Sequence, residues 1–390
     1  MRAVIGGYLI RIERRADLRW WHTTLASVLA IVFSLFLVGF AFLRVGADPL
    51  EVYSEIVRYA FLSEFGLPQT INRATFVLLA AFALIVPLRA GLWNIGMPGQ
   101  IYAATLAAFG VAYAFGAKRS VNVQLPGELI IPLMLLAALA ASAVYAAIAG
   151  FLRGRFQVNE IVTTMMLNWA MLWIVAHMIR EGGPFMGRTA EGEGFTLPTS
   201  LRLPQILGVP LTVYIAVALA VVLTWFLAKT TLGYRIRTYG ESPRAAEYAG
   251  INATRISTLV FALGGLLAGL AGYHYFAAVP GVFKIPKNYA DFGDFSFYGL
   301  ITGLIARNNP IAAIPVAVLF GGVSGGARFM QGKLRLAFGI DYALLGVLMI
   351  MMVAFQALAH YSVRVERQAA VPRPQLELER GESRVESPRH

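Results

Sequence analysis

The chain contains no cysteine, which excludes disulfide staples, thiolate metal centres and thiol catalysis, and leaves the redox compartment unreadable. It is also poor in charge: 14% of its 390 residues are Asp, Glu, Lys or Arg, against about 25% in soluble domains. No G-x-x-x-x-G-K-[ST] phosphate loop occurs, because Gly332-Lys333 is followed by Leu334, so no segment is built to cradle the phosphates of a nucleotide. No H-E-x-x-H or comparable ligand set occurs either. His177 and His274 stand alone in apolar stretches and read as structural. Neither a metal, a cofactor nor an enzymatic centre is expected.

What the chain has in excess is apolar residues. A hydrophobic share of 58% and a mean hydropathy of +0.65 place it in a bilayer. A net charge of +12 would suit nucleic acid if the basic residues shared one face. They sit instead in short segments between long apolar runs, the arrangement of an inner-leaflet bias, so membrane lipid is the expected contact and nucleic acid is not. The runs extend from Thr24 to Leu43, Thr70 to Leu88, Gln100 to Phe115, Leu129 to Leu152, Ile161 to Ile179, Val209 to Ala228, Ser257 to Val279, Phe295 to Ala306, Ile311 to Gly326 and Tyr342 to His360. They predict an all-α polytopic membrane protein with about ten transmembrane helices.

The first run exceeds the apolar core of a signal peptide, about 7 to 15 residues, and reads as a retained helix. Arg2, Arg11, Arg14, Arg15 and Arg19 should hold the N-terminal segment, residues 1–23, in the cytoplasm. An even number of crossings returns the C-terminus to that side. This topology leaves more Lys and Arg inside than outside, although Arg328, Lys333 and Arg335 fall outside. The division expected is thus 1–23, a transmembrane domain over 24–360, and a tail over 361–390. The tail is rich in Arg, Glu and Pro and expected to be disordered. Within the membrane domain, the pairs Gly265 and Gly269, Ala268 and Gly272, Gly321 and Gly325, and Gly322 and Gly326 have the spacing that lets helices approach closely.

Three polar islands interrupt this pattern. GLWNIGMPGQ, Gly91 to Gln100, should break its helix, since Gly costs about 1 and Pro about 3 kcal/mol in a helix interior. Broken backbone at membrane depth lies inside protein or along a watery cavity. Asn94 and Gln100 are therefore expected to line a polar path, with an ordinary turn after Arg89 as the alternative. In QVNEIVTTMMLNW, Gln157 to Trp169, Glu160, Thr164 and Asn168 lie four apart and share one helical face, suited to the same path or to interhelical hydrogen bonding. Tyr273, Tyr275 and Phe276 could stack on a base or sugar ring or form an interfacial aromatic belt. The third island is the basic loop over 231–256. Ser242 there makes an N-cap, Pro243 a first helical residue and Gly250 a stop, which predicts a short helix displayed to a cytoplasmic partner.

TLGYRIRTYGESPRAAEYAGI, beginning at Thr231, closely resembles the cytoplasmic coupling loop of bacterial ABC permeases that import ribose, other simple sugars, nucleosides and branched-chain amino acids. GLWNIGMPGQ is similar to that family's glycine-rich segment and VNEIVTTMMLNW to its fifth-span motif. GLITGLIARNNPIAAIPVAVLFGG, Gly299 to Gly322, is similar to a fourth motif, so four stand in family order. The flavour is most like the nucleoside-type branch, with departures at Pro98 and Tyr298, where acidic residues are usual, and at Ala306, where glycine is usual.

The resemblance implies the transmembrane subunit of an ABC importer in the bacterial cytoplasmic membrane. Gly240, Glu241, Pro243, Ala245, Ala246 and Gly250 would form a helix docking a cytosolic ABC ATPase. A second permease subunit, identical or related, would complete the path, and an extracytoplasmic substrate-binding protein would deliver the solute. Neutral groups (Asn94, Gln100, Thr164, Asn168) outnumber charges in the expected path, which suits a nucleoside or simple sugar. VSGGA, Val323 to Ala327, is superficially similar to the signature of ABC ATPases but reads as glycine packing at the end of a span. The alternative to the importer is an ion-coupled secondary transporter with Glu160 as the coupling carboxylate.

Overall fold

The computed structural model of the chain describes residues 2–5, 8–14, 20–44, 46–118, 125–187, 192–279, 282–286, 289–333, 339–359 and 361–367. In chain order these form β1 (Arg2–Ile5), β2 (Tyr8–Arg14), α1 (Trp20–Arg44), α2 (Pro49–Val57), α3 (Gly66–Arg89), α4 (Met97–Ala114), α5 (Gly127–Phe156), α6 (Glu160–Ile179), β3 (Gln205–Ile206) and β4 (Val209–Pro210). There follow α7 (Leu211–Lys229), α8 (Thr231–Glu241), α9 (Pro243–Tyr248), α10 (Ala253–Tyr273), α11 (Tyr289–Ile305), α12 (Ala313–Lys333), α13 (Ile340–Ala359) and β5 (Tyr361–Arg367). Contacts divide the chain into a large unit, 31–353, and a small one, 1–30 with 354–390.

The small unit holds an antiparallel sheet in the order β1-β2-β5. Ile10 pairs with Val365 and Ile12 with Val363, and the alternation of these residues with Arg11, Arg364 and Glu366 is the period of a strand. The tail expected to be disordered thus begins with an ordered strand, and its residues 368–390 lie outside the described ones. The pairing of β2 with β5 brings the two terminal segments together in this unit.

Helices stand at all ten apolar runs: α1, α3 to α7, and α10 to α13. Among the described residues, eight of them are long and apolar enough to cross a membrane. The runs in α4 and α11 fall short, α4 because it opens on Met-Pro-Gly-Gln and α11 because its 17 residues are too few. The outer faces of α5, α6 and α7 expose large apolar side chains, among them Leu136, Val144, Trp169, Trp173, Val221 and Trp225, as helices facing hydrocarbon do.

At the centre lies α3, apolar all round and buried on every side between Ala74 and Pro87, which is the signature of a core helix. It is flanked by α10, α11 and α12, and α10 packs most extensively on α5. The small-residue pairs are where these helices touch. A Cβ on Gly265 would lie 2.4 Å from Ala146 Cβ, one on Gly272 2.6 Å from Ile101 O, and one on Gly321 2.6 Å from the Ala74 nitrogen. Gly265→Leu is therefore expected to force α5 and α10 apart at a cost of about 1–3 kcal/mol. The check is the thermal unfolding midpoint in detergent, and an unchanged midpoint would refute the close packing.

Most helices extend beyond their apolar runs at one end or both, and two of the boundaries that differ from expectation have a visible cause. α7 starts at Leu211 rather than Val209, because Val209 and Pro210 pair with Gln205 and Ile206 across a turn whose Leu207 and Gly208 have φ of 52° and 79°. α12 runs past Gly326 to Lys333, where Ala327 and Met330 join a core with Val38, Phe42, Val52, Ile56 and Leu344. The sequence reading also passed over α2, which Asp48 caps by accepting from the Leu50 N–H at 2.9 Å, and the π-helical turn Arg58–Leu62 after it.

Candidate functional site

At one end of the helices, α8 and α9 form the displayed segment. Thr230 caps α8, its Oγ1 accepting from Gly233 N at 3.0 Å. Ser242 caps α9, its Oγ accepting from Ala245 N at 3.3 Å, with Pro243 as first helical residue. Gly250, at φ 76°, ends it; that left-handed conformation is why glycine serves there. The start and stop agree with the sequence reading. The six residues expected in one docking helix are nevertheless divided: Gly240 and Glu241 close α8, while Pro243, Ala245 and Ala246 belong to α9. Ala246 is buried, whereas Glu241, Pro243 and Ala245 face outward. Tyr248, which the sequence reading passed over, is 94% exposed.

Gly240 backs onto the end of α3. A Cβ there would lie 2.3 Å from Arg89 O, and one on Gly91, whose φ is 71°, would lie 3.3 Å from Gly240 O. Arg89 then reaches across to the turn between α11 and α12, its Nε and Nη2 donating to Asn308 O at 3.1 and 2.8 Å. In α8, burial pushes the Tyr239 phenol above its usual range, while nearby Arg153 pulls the other way.

The break expected after Arg89 is present: residues 90–96 are non-helical. The structure brings all five expected path residues together around it. Asn94 and Gln100 are fully buried and exchange two amide hydrogen bonds, at 2.7 and 3.0 Å. Asn94 also donates to Ala83 O at 3.2 Å and accepts from Gly96 N at 3.2 Å. Asn168 accepts from Gly99 N at 2.9 Å and donates to Ile95 O at 3.0 Å. Thr164 Oγ1 donates to Glu160 O at 2.7 Å. The Glu160 carboxylate lies 3.3 Å from Arg153 Nε and accepts a long hydrogen bond, 3.5 Å, from Trp93 N. Side chains thus supply the bonds that a helix would have supplied to this segment, which is how non-helical backbone survives away from water.

Asn94→Ala strands the Gln100 amide and the Gly96 N–H, so a loss of about 1–3 kcal/mol is expected. A double-mutant cycle with Gln100→Ala should show a coupling of about 0.5–3 kcal/mol. Strictly additive losses in unfolding would contradict the paired arrangement.

At the other ends of α3, α10 and α12 lies a cavity of about 530 Å³ whose lining includes Glu64, Gln69, Asn72, Arg73, Tyr275 and Arg328. Arg73 Nη1 donates to Ser324 Oγ at 2.8 Å, and Arg328 Nη2 reaches the Tyr342 hydroxyl at 3.4 Å. Behind the lining, fully buried His274 sits between Asn72 O, 3.0 Å from its Nε2, and the Thr212 hydroxyl at its Nδ1. A carbonyl only accepts, so Nε2 carries the proton and Nδ1 accepts from Thr212. His274 is therefore structural, and it fixes the backbone of Asn72. Tyr273 and Phe276 are buried in protein rather than set in a lipid-facing belt, and Tyr275 borders the cavity with its ring edge-on to Phe76 at 5.5 Å. The sequence reading missed Asn72 and Arg73. The available signal was an arginine within an apolar run, since an intramembrane charge marks function by default.

Apolar helices around a buried central helix, with a displayed segment at one end and a polar cavity at the other, define a polytopic membrane protein of the permease class. The chain belongs to the family described as branched-chain amino acid transport system / permease component, which matches residues 66–353. It is 30% identical to the glucose ABC transporter permease protein TsgB13 of Haloferax volcanii over 89% of this chain and 90% of that one. It is 30% identical to the nucleoside ABC transporter permease protein NupB of Lactococcus lactis, over 78% and 84% respectively. To the guanosine ABC transporter permease protein NupP of Bacillus subtilis it is 26% identical, over 87% and 94%. No solved structure matches it significantly.

Proposed function

We propose that this chain is the membrane-spanning subunit of an ABC importer that carries a nucleoside or a simple sugar across the cytoplasmic membrane, with both termini in the cytoplasm. Cytosolic ATPase chains dock on α8 and α9, a second permease subunit completes the path, and an extracytoplasmic binding protein delivers the solute. ATP binding can drive reorientation because the docked ATPases contact the two facing states differently.

The observation that carries this reading is the outward display of α9 together with the direct backing of Gly240 against Arg89 and Gly91, which gives a docked partner a path into α3. Relatives named for nucleoside, guanosine and glucose transport support the substrate class. The network around Asn94 and Asn168 shapes the wall of the path by holding the broken segment against α3 and α6. Glu160 sits at the docking end, engaged with Arg153, and no observation gives it the place of an ion-coupling carboxylate in the cavity at the far end.

The test is solute-stimulated ATPase activity of the complex in lipid with its receptor, comparing nucleosides, simple sugars and branched-chain amino acids. Stimulation by nucleosides or sugars is expected. Stimulation by branched-chain amino acids alone would overturn the substrate class, and uptake that persists without any ATPase partner would overturn the importer.

A further inference from the structure

Resting on the importer reading, we infer that the cavity remote from α8 and α9 is a solute-binding site of this subunit, suited to a ring compound that both donates and accepts hydrogen bonds, such as a nucleoside or sugar. The argument begins with Asn72. It is 5% exposed and borders the cavity. Its side-chain oxygen is buried and has no hydrogen-bond partner among the described residues. A buried acceptor left unmade costs about 1–3 kcal/mol, and His274 holds the backbone of this residue in place. A ribose hydroxyl or an exocyclic amine is the kind of donor that would satisfy this oxygen.

The rest of the lining completes the complement. The Arg73 and Arg328 guanidiniums donate and cannot accept, so they suit carbonyl and hydroxyl oxygens on the same ligand. Tyr275 adds an aromatic ring, and Gln69 a neutral amide at the exposed rim. At about 530 Å³, the cavity falls within the range of small-molecule sites, about 300–1,000 Å³. Among the described residues, the lining carries two guanidiniums and one carboxylate, Glu64, which is exposed. Of the helices that form the walls, α3 and α10 also pack against the displayed segment at their other ends.

The experiment titrates uridine, ribose and leucine into the full-length chain in lipid nanodiscs, and separately measures uridine-stimulated ATPase of the assembled complex. Asn72→Leu removes the acceptor while keeping the volume, and Arg328→Gln shortens an exposed side chain and removes its charge. Each is expected to weaken uridine or ribose binding about tenfold, the effect of one lost hydrogen bond of about 1.4 kcal/mol. Yield and thermal unfolding midpoint of the full-length chain should stay within the range of the wild type, so that lost binding is read as a lost contact. Absence of binding at millimolar uridine and ribose, binding unaffected by both substitutions, or preferential binding of leucine would each overturn the site. If binding holds but no solute stimulates the wild-type complex, the site stands and the importer reading falls.

Discussion

Under the proposed importer function, Gly240→Val is expected to cut solute uptake more than tenfold while the ATPase remains bound to the complex. The Cβ it introduces would lie 2.3 Å from Arg89 O and 3.0 Å from the Ala90 carbonyl carbon. Both obstacles are backbone, so no flexible side chain can yield. Relieving an overlap of this kind costs about 1–3 kcal/mol, and the cheapest relief is to move the end of α8 off the end of α3. The outward residues of α9 keep their capped geometry, because Ser242 and Gly250 are untouched. What is lost is the backing through which movement of α9 reaches Arg89 and, by its two hydrogen bonds to Asn308, the turn between α11 and α12. Co-purification of the ATPase should be normal, and solute stimulation of ATP hydrolysis should disappear together with uptake. Loss of co-purification would instead show that Gly240 shapes the docking surface itself.

Tyr248→Ala should have the opposite profile, weakening ATPase association about 30-fold while leaving the subunit's own stability unchanged. The side chain is 94% exposed, and substitutions at such surface positions usually stay within about 0.5 kcal/mol. In an interface, a buried tyrosine anchor typically costs about 2 kcal/mol or more when truncated, which is the source of the expected factor. Titrating the ATPase against the subunit in nanodiscs measures it directly. Unchanged affinity would place the anchor elsewhere on the displayed segment. Unchanged affinity together with lowered thermal stability would show that Tyr248 packs within the subunit.

The two predictions differ in how far the sequence foresaw them. The capped start at Ser242-Pro243 and the stop at Gly250 are local signals, read from residues within a few positions of one another, and the structure has them where expected. Which residues of that segment face outward is not local. Ala246 is buried and Tyr248 exposed because of what lies beneath α9, and a six-residue helix carries too short a pattern to reveal it. The polar islands behave likewise. The shared face of Glu160, Thr164 and Asn168 follows from helical spacing, but their partners, the backbone of residues 93–99 and Arg153, come from elsewhere in the chain. The cavity was missed for the same reason: the bond from His274 to Asn72 spans 202 positions, and no periodic pattern encodes it.

The sequence by itself determined that this is an all-α membrane protein, where its apolar helices lie, and that the chain breaks after Arg89 and displays a short helix after Ser242. Apolar length, the cost of Gly and Pro in a helix, and capping are properties of contiguous residues. Only the tertiary structure decided that Gly240 meets Gly91, that β2 pairs with β5, and that Asn72 and Arg328 share one cavity. A helical pattern states which face is apolar without stating which neighbour it meets. That choice is made by close backbone approach at glycines and by buried polar groups finding partners, and both depend on segments far apart in the chain.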